Sequence, residues 1–263
     1  MRSDRPTYAS AVSLVVGAVV ISACGTASER DATHSSSRSG TAVAFEATDG
    51  VRLTGRLFGE GSVGVVLAHM GRGGDTQADF YPLAHELAER GYLALTYNRR
   101  GVCGPCARTC SEGPDDYAGS WRDVVGASEL VRSRGATTLV VIGASVGAMA
   151  SIHAAVTHRI RPAALVEIGG VNHASGYDFS RADLRELEGA KLFVSAAGDG
   201  YGGADAAREW HGWANAPKQL EILSGARHGT DMLRSGQPTA RPLVELVLRF
   251  LTRWAPPGGE ERG

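Results

Sequence analysis

Val63–Ala68 is a run without one polar side chain, and a strand of that kind is buried on both faces. It has to lie inside a sheet that helices cover on each side, a demand that α/β architectures meet. The rest of the chain repeats the pattern. Residues 92–97, 138–142, 163–168, 191–196 and 219–223 are further apolar runs of strand length. Stretches with helical spacing lie between them. Phe80, Leu83, Ala84, Leu87 and Ala88 recur on one face and Gly91 follows as a C-cap. Further helices are predicted over 116–134, from about Val146, over 204–213 and over 241–253. Two early strands, 42–47 and 52–58, flank the turn residues Asp49-Gly50 and predict a hairpin. Alternation of this kind predicts an α/β domain, with a mostly parallel central sheet and helices on both faces. A length of 263 residues suits one such domain, and no internal repeat is visible.

Composition agrees and excludes some partners. Hydrophobic residues at 43% are enough to fill a continuous core. The net charge is −1, and the arginines are scattered rather than clustered, so no nucleic-acid surface is expected. No metal, nucleotide or flavin motif is present, and no cofactor is expected.

The N-terminus carries a separate message. Arg2 and Arg5 precede an apolar run over 9–21, followed by Ser22, Ala23 and Cys24. A basic start, a short apolar stretch and small residues before a cleavage point describe a secretory signal over 1–23. Ile21-Ser22-Ala23-Cys24 also resembles the lipobox of bacterial lipoproteins. That resemblance implies lipidation of Cys24, with the protein extracytoplasmic and anchored to the cell membrane, since several acyl chains suffice for stable attachment. Residues 24–40 lack large apolar groups and read as a flexible tether. The folded domain is then expected over 41–254, with a frayed tail over 255–263.

Gly143-Ala144-Ser145-Val146-Gly147 fits G-x-S-x-G. In a chain with 35 glycines the motif alone is weak, and its position gives it force. It follows the strand 138–142 and precedes an Ala-rich helical stretch. A sharp turn there would lift the Ser145 hydroxyl above the sheet, with helix N–H groups and the positive end of the dipole beneath it. Gly143 and Gly147 would let neighbouring backbone pass closely.

With this motif in place, residues 45–253 resemble the α/β-hydrolase superfamily. The family places its acid after a late strand and its histidine after the last one. Asp199 follows 191–196, and His228 follows 219–223, so the order Ser, Asp, His is kept. The resemblance implies Ser145 as nucleophile, His228 as its base and Asp199 as the group that orients the imidazole. Glu167, at the end of 163–168, is a reserve acid, because related folds sometimes use that position. The oxyanion hole would combine the backbone N–H of Val146 with one from His69-Met70-Gly71-Arg72-Gly73-Gly74, which resembles the family's H-G-x loop. Met70 stands where the first Gly is usual, which leaves Met70 and Gly71 both open as the second donor. His69 is taken as a structural loop residue rather than a second base.

Cys103, Cys106 and Cys110 sit after Asn98-Arg99-Arg100-Gly101, where the family has an R-G-x-G-x-S turn. Three cysteines without a nearby His make a poor zinc set, and outside the cytoplasm a disulfide is the better account. The pairing is open, with Cys103–Cys110 preferred and one thiol left over. The family inserts lids between the strands ending near Ile168 and starting at Lys191. Here the interval holds room for one short helix near 181–187, so no cap domain is expected. An open, shallow pocket favours short acyl esters or small lactones, and Asn172, Tyr177, Phe179 and Tyr201 are candidates for its rim.

The reading that follows is a serine esterase acting on a small acyl substrate, resembling dienelactone-hydrolase-type and other capless members. A peptidase or acyltransferase on the same machinery is an alternative. So is an inactive fold serving as a surface binding protein, which the intact Ser145, Asp199 and His228 count against. Natural substrate and oligomeric state are not fixed by the sequence.

Overall fold

The computed structural model describes residues 40–69, 71, 74–104, 109–157 and 159–258. Cys24 with its signal and most of its tether, Met70 and Cys106 lie outside the described residues. The strands are β1 (Thr41–Glu46), β2 (Arg52–Phe58), β3 (Val63–Ala68), β4 (Leu93–Asn98), β5 (Thr138–Ala144), β6 (Ala164–Ile168), β7 (Ala190–Ala196) and β8 (Lys218–Leu223). They form one eight-stranded sheet in the order β1-β2-β4-β3-β5-β6-β7-β8. β1 and β2 pair as an antiparallel hairpin, and β2 runs antiparallel to β4. From β4 to β8 every pairing is parallel.

The helices are α1 (Tyr81–Ala88), α2 (Trp121–Ser133), α3 (Val146–Val156), α4 (Arg181–Arg185), α5 (Gly203–Trp213) and α6 (Ala240–Trp254). The period of two along β3 divides the core. Val63, Val65 and Leu67 pack with Leu83 and Leu87 of α1 and Leu243, Val247 and Leu251 of α6. Val66 and Ala68 pack with Val124 and Val131 of α2 and Met149 and Ile152 of α3. Each such side chain contributes about 1.5–3 kcal/mol on burial, so the sheet is held between two apolar layers. The predicted elements are all present, with ends shifted by a few residues. A single turn of 3-10 helix at Gln77–Phe80, which sequence periodicity does not announce, leads into α1.

Gly91 shows why the C-cap had to be glycine. Its φ is +82°, and its N–H donates to Ala88 O at 3.0 Å while Tyr92 N–H donates to Leu87 O at 3.2 Å. These bonds satisfy the last carbonyls of α1 and turn the chain into β4.

The loop after β4 is tied down twice. Arg100 reaches Asp123 of α2 at 2.8 Å and Asp49 of the hairpin turn at 2.8 and 2.9 Å. Cys103 and Cys110 form the disulfide expected for this loop. Between β6 and β7 the chain makes only α4, five residues long, and an isolated bridge at Ala174–Tyr177. Among the described residues there is no cap domain, so the C-terminal ends of the strands stay open.

Candidate active site

Three loops at the C-terminal ends of β5, β7 and β8 converge. Ser145 joins β5 to α3 with φ 50° and ψ −116°, a conformation that costs a side-chain-bearing residue about 1–3 kcal/mol. The surroundings enforce it. A Cβ on Gly143 would strike the Gly147 carbonyl, and one on Gly147 would strike the Ala68 carbonyl. Ser145 N–H donates to Ile168 O of β6 at 3.0 Å, which fixes the elbow to the next strand.

The Ser145 hydroxyl lies 2.8 Å from His228 Nε2. On the other side of the ring, His228 Nδ1 lies 2.8 Å from Asp199 Oδ2 and 3.0 Å from Oδ1. Asp199 also accepts from Tyr201 N–H at 2.9 Å and from the Ser195 hydroxyl at 3.2 Å. Burial pushes this carboxyl up, but the His228 hydrogen bond, the Tyr201 amide, the His228 charge and the Ser195 hydroxyl outweigh it. The net result lies below the ordinary aspartate value. With Asp199 ionised, Nδ1 keeps its proton and Nε2 is left as the acceptor facing Ser145. Asp199 and His228 are each 8% exposed, so the pair is shielded while Ser145 is reachable.

Glycines form the floor. Gly169, with φ +61°, sits close beneath the pair, since a Cβ would lie 3.1 Å from Gly229 N, 3.2 Å from Asp199 Oδ2 and 3.5 Å from His228 Nδ1. Gly203 opens α5 against the same carboxylate. One strand away, Glu167 is fully buried. Its Oε1 accepts from Gly170 N–H, and Oε2 has no partner. Burial pushes Glu167 up to about 8, with Asp199 adding to the rise against the Gly170 and Val194 amides. The reserve acid of the sequence reading is therefore a neutral carboxyl at pH 7, hydrogen-bonded to a neighbouring loop.

Val146 opens α3, where a helix N–H has no intrahelical partner and is free for an oxyanion. The loop after β3 is more constrained. His69 is buried, and desolvation together with the Arg99 charge holds it down to about 3, hence neutral. Gly71 N–H points at His69 Nδ1 at 3.1 Å and Arg99 N–H at Nε2 at 3.2 Å. A neutral imidazole accepts at one nitrogen only, so two amides compete for it. Of the two open donors, Gly71 has its N–H 3.1 Å from His69 Nδ1, and Met70 lies outside the described residues. Arg99 donates to Gly71 O at 2.6 Å and stacks on Tyr117 at 4.4 Å, linking this loop to the pocket wall.

Ser145 and His228 open into a cavity of about 250 Å³ walled by Tyr117, Met149, Val171 and Ala174, with Tyr201 at its edge. A larger groove of about 840 Å³ runs past Phe58, Gly61 and His85, and it carries neither Ser145 nor a partner for it. The predicted rim is corrected in part. Tyr201 is there, but Tyr177 and Phe179 are buried and stacked on each other. Asn172 clamps the backbone of Phe179 at 3.0 and 3.2 Å. Val171 and Ala174, from the same loop, take the place at the wall. Ser195 escaped the sequence reading, although a lone hydroxyl in the apolar strand β7 signals a buried partner.

A mostly parallel sheet, an antiparallel hairpin at one edge and a strained serine between β5 and α3 define the α/β-hydrolase fold. No family model matches the chain, and neither does any curated protein. Among solved structures it is similar to a lid-less α/β serine hydrolase from Xanthomonas campestris, at 21% identity over 81% of this chain and 94% of that one (TM-score 0.64). It is also similar to an esterase from Pyrococcus furiosus, at 15% identity over 81% and 92% (TM-score 0.67). An enol-lactonase from Burkholderia xenovorans matches at 16% identity over 79% and 99% (TM-score 0.63). At such identities the likeness speaks for the fold.

Proposed function

We propose that this chain hydrolyses small, uncharged carboxylic esters or lactones through a Ser145 acyl-enzyme. The observation that carries this reading is the unbroken line of hydrogen bonds from Asp199 through His228 to Ser145, ending at an apolar cavity. The esterase and lactonase names among the structural neighbours support it.

Each step follows from the geometry. His228 Nε2 takes the hydroxyl proton as Ser145 Oγ bonds to the acyl carbon, and the carbonyl oxygen becomes an oxyanion. The Val146 amide donates to that oxygen, and Asp199 stabilises the imidazolium. The C–O bond to the alcohol then breaks, and Nε2 returns the proton to the departing oxygen. Water repeats the sequence on the acyl-enzyme and releases the acid, restoring Ser145. A cavity of about 250 Å³ lies below the roughly 300–1,000 Å³ of ordinary ligand pockets. It suits short acyl groups better than long chains.

Hydrolysis of a p-nitrophenyl ester series by the full chain in mild detergent tests the proposal. Ser145→Ala is expected to lower kcat by at least about a thousandfold, with acetate and butyrate preferred over long chains. A folded wild type that neither turns over these esters nor reacts with a serine-directed phosphonate would sink the reading.

A further inference from the structure

Among the described residues, Tyr201 is the one large hydrophobic side chain left exposed, at 58%. A solitary exposed aromatic needs no explanation on an ordinary surface, but this one stands at the active site. Its ring centroid lies 4.5 Å from that of His228, tilted by 39°. Its own N–H is fixed on Asp199 at 2.9 Å, so the backbone that carries the ring is held by the catalytic carboxylate. The ring is thus both anchored and open, in a wall that also contains Ser145 and His228.

We propose that Tyr201 is the platform for the alcohol half of the substrate, and that this alcohol carries a flat aromatic ring. The inference rests on the hydrolase reading above and sharpens its substrate class. His228 Nε2 must hand its proton to the departing oxygen, so that oxygen lies beside the imidazole and its carbon substituent beside Tyr201. The acyl half then occupies the other wall, at Tyr117, Met149, Val171 and Ala174. Among the described residues, the lining apart from Ser145 and His228 carries no Asp, Glu, Lys or Arg. At the Tyr201 side the described lining offers a charged alcohol no side-chain counter-charge, whereas an aromatic one gains the offset or edge contacts that a tyrosine ring offers.

Benzyl acetate and cyclohexylmethyl acetate share an acyl group, are of similar size and differ in the flatness of the alcohol. Both are assayed with the full-length wild type, Tyr201→Phe and Tyr201→Leu. All three proteins keep the backbone N–H that holds Asp199. The benzyl ester is expected to show a KM about three- to tenfold lower in wild type and Tyr201→Phe. In Tyr201→Leu the two KM values should converge, and any change in kcat should be the same for both esters. Equal KM values in the wild type overturn the proposal. So does a Leu variant that loses kcat on both esters while keeping the ratio of their KM values, because the ring then only packs His228. Folded wild type that hydrolyses neither ester while cleaving p-nitrophenyl acetate overturns this inference alone; if it also fails on p-nitrophenyl esters and on the phosphonate, the hydrolase reading goes with it.

Discussion

Asp199 and Glu167 stand at the ends of neighbouring strands, β7 and β6, and both carboxyls are largely out of water. Asp199 gathers His228, the Tyr201 amide and the Ser195 hydroxyl, and it is held below the ordinary value. Glu167 has only two backbone amides, those of Gly170 and Val194, set against its burial, and it is pushed up to about 8. Burial raises both. The number of donors aimed at each carboxylate decides which one is ionised at pH 7 and able to orient a histidine.

The sharpest way to break this comparison is to neutralise each acid in turn. Asp199→Asn keeps the shape but places an amide against His228 Nδ1. When that amide donates, the proton moves to Nε2 and points at Ser145, so the base is lost. We expect kcat to fall by about 10⁴-fold. Glu167→Gln should stay within a few-fold of wild type at pH 7, since it replaces a neutral acid by a neutral amide. Steady-state kinetics on a short ester measure both, and equal losses would show that Glu167 is the working acid.

A second test moves the floor beneath both groups. Gly169→Ala puts a methyl 3.2 Å from Asp199 Oδ2 in a backbone with φ +61°. Asp199 and the Gly229 amide beside His228 have to give by a few tenths of an ångström. A drop of about 10- to 100-fold in kcat is expected, with KM for the same ester little altered. An unchanged kcat would mean that the pair tolerates displacement and that the glycine serves only the turn.

How much of this was legible in the sequence depends on the range of the contacts. The strands and the serine elbow were, because the period of two and the strand-turn-helix order are local properties. Asp199 and His228 were placed by their position after strands, a topological rule rather than a local one. The Cys103–Cys110 pair was among the expected ones, although spacing alone left it open. What escaped was set by contacts across the chain. That His69 would receive both the Gly71 and the Arg99 amides could not be read from the spacing of the loop. Tyr177 and Phe179 looked like rim residues, yet ring stacking with each other and against Trp210 buries them. Ser195, a lone hydroxyl inside an apolar strand, was not read as a site residue, and its partner Asp199 emerges only from the folded chain.

The smallest effect on activity comes with a distinct dependence of stability on pH. In the unfolded chain Glu167 loses its proton near pH 4.5, whereas in the folded protein it keeps it to about 8. Between those values the folded state binds more protons than the unfolded one, so stability contributed by neutral Glu167 falls as pH rises. Asp199 runs the other way. Its folded value is lowered from 3.8, so the stability it adds is present at neutral pH and is lost on acidification. Glu167→Gln removes only the first dependence. The Tm of this variant minus that of the wild type should therefore widen from pH 4.5 to 8 and level off above it. Each kcal/mol corresponds to about 2–4 °C in a domain of this size. The groups that face Glu167 are the Asp199 carboxylate, the Gly170 and Val194 amides and the Trp210 ring, which packs against Gly170. None but Asp199 titrates, and its own change falls below about pH 5. A Tm difference that stays flat across this window would show that Glu167 ionises in the folded protein as it does in water, and the contrast between the two acids would then vanish.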